Sequence, residues 1–297
     1  MGGFLSYAQQ SFPPSPTWGP NDIPTSLARS SSLPVRGGAG IGKESVKSLL
    51  EHNAKVYLAT RSATKANAAI AELKDKTGKE AIFLHLDLAD LPAVRKSARE
   101  FLSKETQLHI LINNAGVMVP PVEETTVQKY DLQFGTNVIG HWLFTILLLP
   151  ALFAATDAST THEKARVVTV SSSANYLTNG LDFEAFTDGP RRRKYGKWEL
   201  YHKSKLIVST SLNPGNINTD LQRHMPQWLV SIIRVMLYSV TFGALTQLYC
   251  ATAPAAADAN GKFFIPWARE GKANKAAEDP QVGEKLWAWL EEQTKKY

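Results

Sequence analysis

The feature that most constrains this chain is a repeated alternation of short apolar runs with helical segments. Lys55-Val56-Tyr57-Leu58-Ala59, Ala81-Ile82-Phe83-Leu84-His85-Leu86, His109-Ile110-Leu111-Ile112 and Arg166-Val167-Val168-Thr169-Val170 have strand length and are rich in β-branched or aromatic residues. The intervening patterns predict helices over about 64–77 and 91–103, with another over about 43–52 ahead of them. Short loops between such elements favour parallel strands with right-handed crossovers. The predicted fold class is α/β, a doubly wound parallel sheet in a single domain over residues 35–297. At 297 residues the chain is long enough to give that domain a full core.

Residues 1–34 read as a Pro/Ser-rich tail. Phe12-Pro13-Pro14-Ser15-Pro16, Gly19-Pro20 and Ser30-Ser31-Ser32 lack helical or strand periodicity, and Phe12 and Trp18 are the residues that would pin the tail to the domain. The net charge of +6 suits a polyanion, but the basic residues are dispersed. Their one cluster, Arg191-Arg192-Arg193-Lys194, reads as a solvated loop, so no nucleic-acid partner is expected. A single cysteine, Cys250, excludes an internal disulfide and fits a reducing, cytoplasmic compartment. The seven histidines show no metal-ligand spacing, and no metal is expected.

Gly37-Gly38-Ala39-Gly40-Ile41-Gly42 opens the first helix. Such a turn brings backbone N–H groups and a helix N-terminus to a phosphate. With Lys43 it mimics a nucleotide-hydrolase loop, but Glu44 stands where a Ser or Thr would hold Mg²⁺. The alternative is a dinucleotide pyrophosphate loop, and the alternating strands favour it. In such a fold the end of the second strand faces the adenosine ribose, where Arg61 suits a 2′-phosphate. NADP is therefore expected ahead of NAD.

Tyr201-His202-Lys203-Ser204-Lys205 places a phenol and an ammonium one helical turn apart. A nearby ammonium favours the phenolate and lowers the phenol pKa from its ordinary value of about 10. Upstream, an apolar strand ends in Ser171-Ser172.

These motifs, with Asn113-Asn114-Ala115-Gly116, Asn137 in Asn137-Val138-Ile139-Gly140-His141, and Asn213-Pro214-Gly215 leading to Thr219, occur in an order that resembles the short-chain dehydrogenase/reductases over residues 35–265. Within that superfamily the chain is similar to the retinol-dehydrogenase-like branch. The resemblance implies a Rossmann-like fold and hydride transfer between a nicotinamide cofactor and an alcohol/carbonyl pair. It implies that Tyr201 exchanges the proton, Lys205 lowers the Tyr201 pKa and holds the nicotinamide ribose, Ser172 (rather than Ser171) binds the substrate oxygen, and Asn137 seats the water of a proton relay. Gly37, Gly38, Gly40, Ile41 and Gly42 would bind the pyrophosphate, and Arg61, Asp87, Leu88, Asn114, Ala115 and Gly116 the adenosine side. Pro214, Gly215 and Thr219 would flank the carboxamide.

Two departures stand against that pattern. Counting back from Gly40 and Gly42, Arg36 falls where the family has its first glycine, and Pro34 sits where a central strand should end. Proline removes a ladder donor and does not suit a central strand. After Lys205, Leu206-Ile207-Val208-Ser209-Thr210-Ser211-Leu212 reads at once as the next parallel strand, although a parallel crossover takes about a dozen residues or more. Crossing a sheet about 20 Å deep would need residues 201–207 nearly extended, which would destroy the helical turn pairing Tyr201 with Lys205. Both departures read as lost segments.

Residues 225–249 approach the length of a membrane span, but Arg234, Ser231, Thr241 and Gln247 interrupt them. A substrate lid around 220–250 is expected, with peripheral membrane contact as the second reading. An apolar lid implies a small lipophilic carbonyl or alcohol substrate. Residues 260–265 read as a turn and last strand, and 279–297 as an amphipathic helix. The expected function is an NADP(H)-dependent oxidoreductase; the alternative is a non-catalytic relative with impaired cofactor binding that acts through protein contacts. The oligomeric state stays open.

Overall fold

Val56 and Leu58 point to one face of the second strand and Tyr57 to the other, and all three are fully buried. A strand covered on both faces is what a parallel sheet between two helical layers requires. The computed structural model describes residues 9–24, 30–34, 40–159, 164–206 and 210–297. Its strands are β1 (Ser30–Pro34), β2 (Lys55–Thr60), β3 (Ile82–His85), β4 (Ile110–Asn113), β5 (Arg166–Val170), β6 (Ser211–Leu212), β7 (Phe263–Ile265) and β8 (Arg269–Gly271). They form one sheet in the order β3-β2-β1-β4-β5-β6-β7-β8, parallel throughout except for the β7–β8 pair.

The helices are α1 (Gly40–Glu51), α2 (Ala63–Thr77), α3 (Leu91–Lys104), α4 (Leu132–Asp157), α5 (Pro190–Ser204), α6 (Gln227–Ile233), α7 (Val240–Thr252), α8 (Lys275–Glu278) and α9 (Pro280–Thr294). On one face Val56, Leu58, Ile112 and Val168 pack with Val46, Leu49, Leu73 and Leu248 of α1, α2 and α7. On the other, Tyr57, Leu84 and Leu111 meet Phe101, Phe144, Leu148 and Leu290 of α3, α4 and α9. Each such side chain contributes about 1.5–3 kcal/mol by leaving water. Local signals set the ends: Ser62 caps α2 by accepting the Lys65 N–H, and Gly78 closes it at φ 71°. The helix α4 is long and apolar enough to cross a membrane, but it packs along α3 and the sheet.

The strand β1 corrects the reading of residues 1–34 as tail. Ser30–Pro34 run between β2 and β4 at the centre of the sheet. Pro34 is tolerated because it is the last strand residue: pairing with β4 involves Ser31 and Ser32 only, and Pro34 faces Ala59 of β2 alone. Backbone pairing against two buried neighbours here overrides poor strand propensity. Upstream, Trp18 stacks edge-on against Tyr249 at 5.4 Å, whereas Phe12 is exposed and pins nothing.

The second departure resolves in favour of the helix. Tyr201 is helical and Lys205 caps α5 with αR backbone angles. The predicted strand over 206–212 is cut to Ser211 and Leu212, paired with Thr169 and Val170 at the C-terminal end of β5; Ile207, Val208 and Ser209 lie outside the described residues. The chain need not cross the sheet, since it re-enters at the end it had just left.

The apolar segment over 225–249 is not one span. An extended stretch at Leu237–Ser239, in which Tyr238 bridges Ile217, separates α6 and a following 3₁₀ turn from α7, whose Gly243–Leu248 are buried. Of the segment expected to form a lid, α7 instead belongs to the core.

Candidate active site

The C-terminal ends of β2, β4, β5 and β6 face a cleft of about 1010 Å³. It lies where the strand order reverses, between β1 and β4. Gly40, Ile41, Arg61, Asn114, Gly116, Ser171, Ser172, Tyr201, Lys205, Pro214, Gly215 and Thr219 line it. A smaller cavity of about 200 Å³ adjoins at Thr60 and Arg61 and is lined by Asp87, Leu88 and Ala115. Gly42 is buried inside α1 and does not line the cleft; Gly37 and Gly38 lie outside the described residues. Lys43 turns away to pair with Glu72, which leaves no hydrolase-type phosphate lysine.

At one end of the cleft, Ser172, Tyr201 and Lys205 converge. The Ser172 side chain hydrogen-bonds Tyr201, and Lys205 Nζ lies 5.9 Å from the Tyr201 ring centre. Ser171 is used otherwise: its hydroxyl donates to the Lys205 carbonyl at 2.6 Å, tying the end of β5 to the end of α5. Lys205 Nζ donates to the Val170 carbonyl at 3.0 Å.

Burial dominates the electrostatics. It pushes the Tyr201 phenol up to about 12, opposed only by the Ser172 hydrogen bond. It depresses the Lys205 ammonium to about 8. The predicted lowering of the Tyr201 pKa by Lys205 is thus absent in the ligand-free protein: the ammonium is aimed at Val170, and the phenol has lost its water.

Asn137 sits in a π-helical turn of α4, Gly135–Gly140. Its carboxamide accepts the Val117 N–H at 2.8 Å and donates to the Val117 carbonyl and to Ser204 Oγ, both at 3.0 Å. The side chain is thereby committed to holding the loop after β4 against α5. A Cβ on Gly116 would stand 3.3 Å from Asn137 Oδ1 and 3.6 Å from Lys205 Nζ, so glycine keeps that wall open. Burial lowers the His141 pKa to about 4; the neutral ring donates its one N–H to the Ala115 carbonyl at 2.8 Å, and its other nitrogen lies 3.1 Å from the Asn113 carboxamide.

At the far end, Arg61 and Lys65 make no side-chain hydrogen bond or ion pair with any described residue. Arg223, on the 3₁₀ turn after Thr219, lines both the cleft and the side cavity. Burial and the Arg61 charge lower its pKa, while Asp220 and Glu124 act in the opposite sense. A long cleft with a phenol–ammonium pair at one end and the Arg61, Lys65 and Arg223 cations at the other fits a dinucleotide. Thr219 also closes over the glycine turn, 3.4 Å from where a Gly40 Cβ would stand.

Sequence reasoning missed four contributors. Lys65 and Arg223 carry no motif, and Gln10 comes from the presumed tail. Arg192, expected in a solvated loop, is fully buried against Asp131 and Asp188. Arg191, Arg193 and Lys194 are the solvated members of that run.

Comparison with known proteins converges on one family. Residues 35–181 match the short chain dehydrogenase family model. A short-chain dehydrogenase/reductase of Armillaria gallica is 54% identical, with all of both chains covered. That alignment has 314 positions for a chain of 297 residues, so 17 positions have no counterpart here. Mouse retinol dehydrogenase 11 is 33% identical over 76% of this chain and 74% of its own length. Among solved structures, an uncharacterized protein from Mycobacterium paratuberculosis aligns at a TM-score of 0.69 with 26% identity, covering 94% of this chain and 97% of the other. A short chain dehydrogenase from Shigella flexneri, complexed with NADP, shares the fold at a TM-score of 0.59 and 20% identity, covering 81% and 98%.

Proposed function

Because the chain belongs to the short-chain dehydrogenase/reductase family, a family of nicotinamide-dependent oxidoreductases, we propose that it interconverts a lipophilic alcohol and its carbonyl with NADP(H). The observation that carries this reading is the convergence of Ser172, Tyr201 and Lys205 at one end of a cleft whose other end presents Arg61. When bound, the nicotinamide supplies or accepts the hydride at the carbonyl carbon. Ser172 holds the substrate oxygen, and the Tyr201 hydroxyl gives that oxygen its proton in reduction, or takes it back in oxidation. Lys205, which in the ligand-free protein donates to the Val170 carbonyl, would hold the nicotinamide ribose and lower the Tyr201 pKa. Asn137 keeps the β4 loop and α5 in register, so that Tyr201 and Gly116 face each other across the cleft.

A phenol with its pKa near 12 holds its proton at neutral pH, which suits reduction of a carbonyl. Arg61, with Lys65 and Arg223, supports NADP over NAD because these cations suit a 2′-phosphate. Met118, Leu221, Met225, Met236 and Leu237 line the wall near Tyr201 and support a lipophilic substrate. The retinol-dehydrogenase relative is in keeping with that class. Trp228 on α6 and Phe242 in the first turn of α7 are exposed, and peripheral contact of a cytoplasmic protein with membranes is part of the proposal. Co-sedimentation with anionic vesicles, compared with a Trp228→Ser variant, tests that contact.

The main test is titration of the purified chain with NADPH and NADH, read by nicotinamide fluorescence and melting temperature, followed by turnover of lipophilic aldehydes and ketones. Tighter binding of NADPH with turnover is expected. A protein that melts cooperatively but binds neither cofactor would instead be a non-catalytic relative.

A further inference from the structure

Residues 9–11, from the segment read as tail, are helical, and Gln10 is almost completely buried. Its neighbours belong to both sides of the cleft. Gln10 Nε2 donates to the Tyr176 hydroxyl at 3.1 Å, and that hydroxyl donates to the Lys272 carbonyl. On the other side, Asn213 Nδ2 donates to Gln10 Oε1 at 2.8 Å. Asn213 Oδ1 then accepts the Gly215 N–H at 3.1 Å, while the Asn213 N–H is used by Phe264 at 2.8 Å. Every link runs in one sense, from Gly215 through Asn213, Gln10 and Tyr176 to Lys272.

The direction matters because an amide has a donor end and an acceptor end. If the Asn213 carboxamide turned over, its NH₂ would face the Gly215 N–H, donor against donor. Gln10 prevents this by presenting only its oxygen to Asn213, and Tyr176 fixes Gln10 in turn. Gly215, at φ 92°, lines the cleft beside Pro214, and Tyr176 lies on the 3₁₀ turn that Ser172 begins. A buried amide pair of this kind is specific because each mismatched group would be unsatisfied.

We propose that Gln10 is a positioning residue that locks the Asn213 carboxamide, and with it the Pro214–Gly215 turn, in the orientation that meets the cofactor. Only the identity of what Gly215 meets rests on the reading of the cleft as a nicotinamide site. Gln9 supports the lock through its carbonyl, which accepts from Arg269 Nη2 at 3.3 Å.

The test compares Gln10→Leu, which keeps the shape and loses both hydrogen bonds, with Gln10→Glu, which keeps an acceptor for Asn213. Trp18→Ala serves as control, since it loosens the same segment from Tyr249 without touching the turn. Hydrogen exchange of the peptide spanning residues 213–217 is read in the ligand-free full chain by mass spectrometry. Exchange at Gly215 is expected to quicken about tenfold in Gln10→Leu, the factor for one hydrogen bond, to recover in Gln10→Glu, and to stay unchanged in Trp18→Ala at a comparable loss of melting temperature. NADPH affinity should follow the same order, with kcat at saturating cofactor held within about threefold. Unchanged exchange in Gln10→Leu, or equal quickening in Trp18→Ala, would overturn the inference. Failure of the wild type to bind NADPH would sink the proposed function while leaving the exchange result to decide the lock.

Discussion

Arg192 Nη1 lies 3.7 Å from Asp131 Oδ2, with both side chains buried, so a fully enclosed ion pair joins the first turn of α5 to the start of α4. Asp131 also caps α4 by accepting the N–H groups of Gln133 and Phe134 at 3.0 and 2.9 Å. Arg192 donates to the carbonyls of Val122 and Glu124 and to Asp188 at 2.9 Å. Gln133 adds a second tie, accepting the Val119 N–H and donating to the Lys197 carbonyl. The helix bearing Tyr201 is thereby held to the helix bearing Asn137, although Gly196 breaks α5 between Arg192 and Tyr201.

Removing one partner of that pair should be costly. Arg192→Met would leave Asp131 buried and uncompensated, and about 3–5 kcal/mol of stability is expected to be lost in urea unfolding at pH 7. Burial already raises the Asp131 pKa, against the pull of its two N–H donors and Arg192. Between the ordinary and raised values the folded state holds a proton that the unfolded state lacks, so the cost of the ionised carboxylate fades as pH falls. Losing Arg192 raises that pKa further, and the deficit of the variant should shrink on acidification. A deficit independent of pH would show that packing alone is at stake.

Lys205 should be a stability liability in the ligand-free protein. Its pKa falls from 10.5 to about 8 through burial, so between those values the unfolded state carries a proton that the folded state lacks. Stability therefore rises with pH across that window, and the full cost is present below it. Lys205→Met is expected to stabilise the apo-protein at pH 7 by about 1–3 kcal/mol, flatten the rise between pH 8 and 10.5, and abolish turnover. The Tyr201 shift has the opposite sign, with stability lost above pH 10 in both proteins. Lower apo-stability of Lys205→Met would refute the account.

The direction of reaction should respond to pH through Tyr201. Oxidation needs the phenolate, whose fraction grows as pH rises toward the Tyr201 pKa, whereas reduction needs the phenol. Oxidation is expected to accelerate steadily from pH 7 to about 10, with reduction level or falling. Tyr201→Phe should lose at least about 100-fold in both directions while binding cofactor normally. A pH-independent oxidation rate would assign the proton transfer elsewhere.

Cofactor choice should separate at the cationic end of the cleft. Arg61→Gln is expected to weaken NADPH binding about tenfold or more and leave NADH within about twofold, as for loss of a charge-assisted contact. Arg223→Gln should act in the same sense to a smaller degree, because Arg223 lines both cavities from the 3₁₀ turn after Thr219. Equal weakening of both cofactors in Arg61→Gln would place its role away from the 2′-phosphate.

The sequence by itself determined the alternating α/β layers, the parallel sheet and the motif residues that line the cleft. Periodicity and short-range spacing record which faces are buried and which side chains share a helical turn, as Tyr201 and Lys205 do. Tertiary structure decided the rest. It drew Ser30–Pro34 into the centre of the sheet, because the ladder partners offered by β2 and β4 are remote in sequence. It reduced the strand after Lys205 to Ser211 and Leu212, removing the apparent conflict with the helix. It buried Arg192 within a run of exposed cations, and joined Gln10 to Asn213 across 203 residues. It also set the Tyr201 pKa by desolvation rather than by Lys205, since loss of water depends on all that surrounds the phenol and not on the residue four positions away.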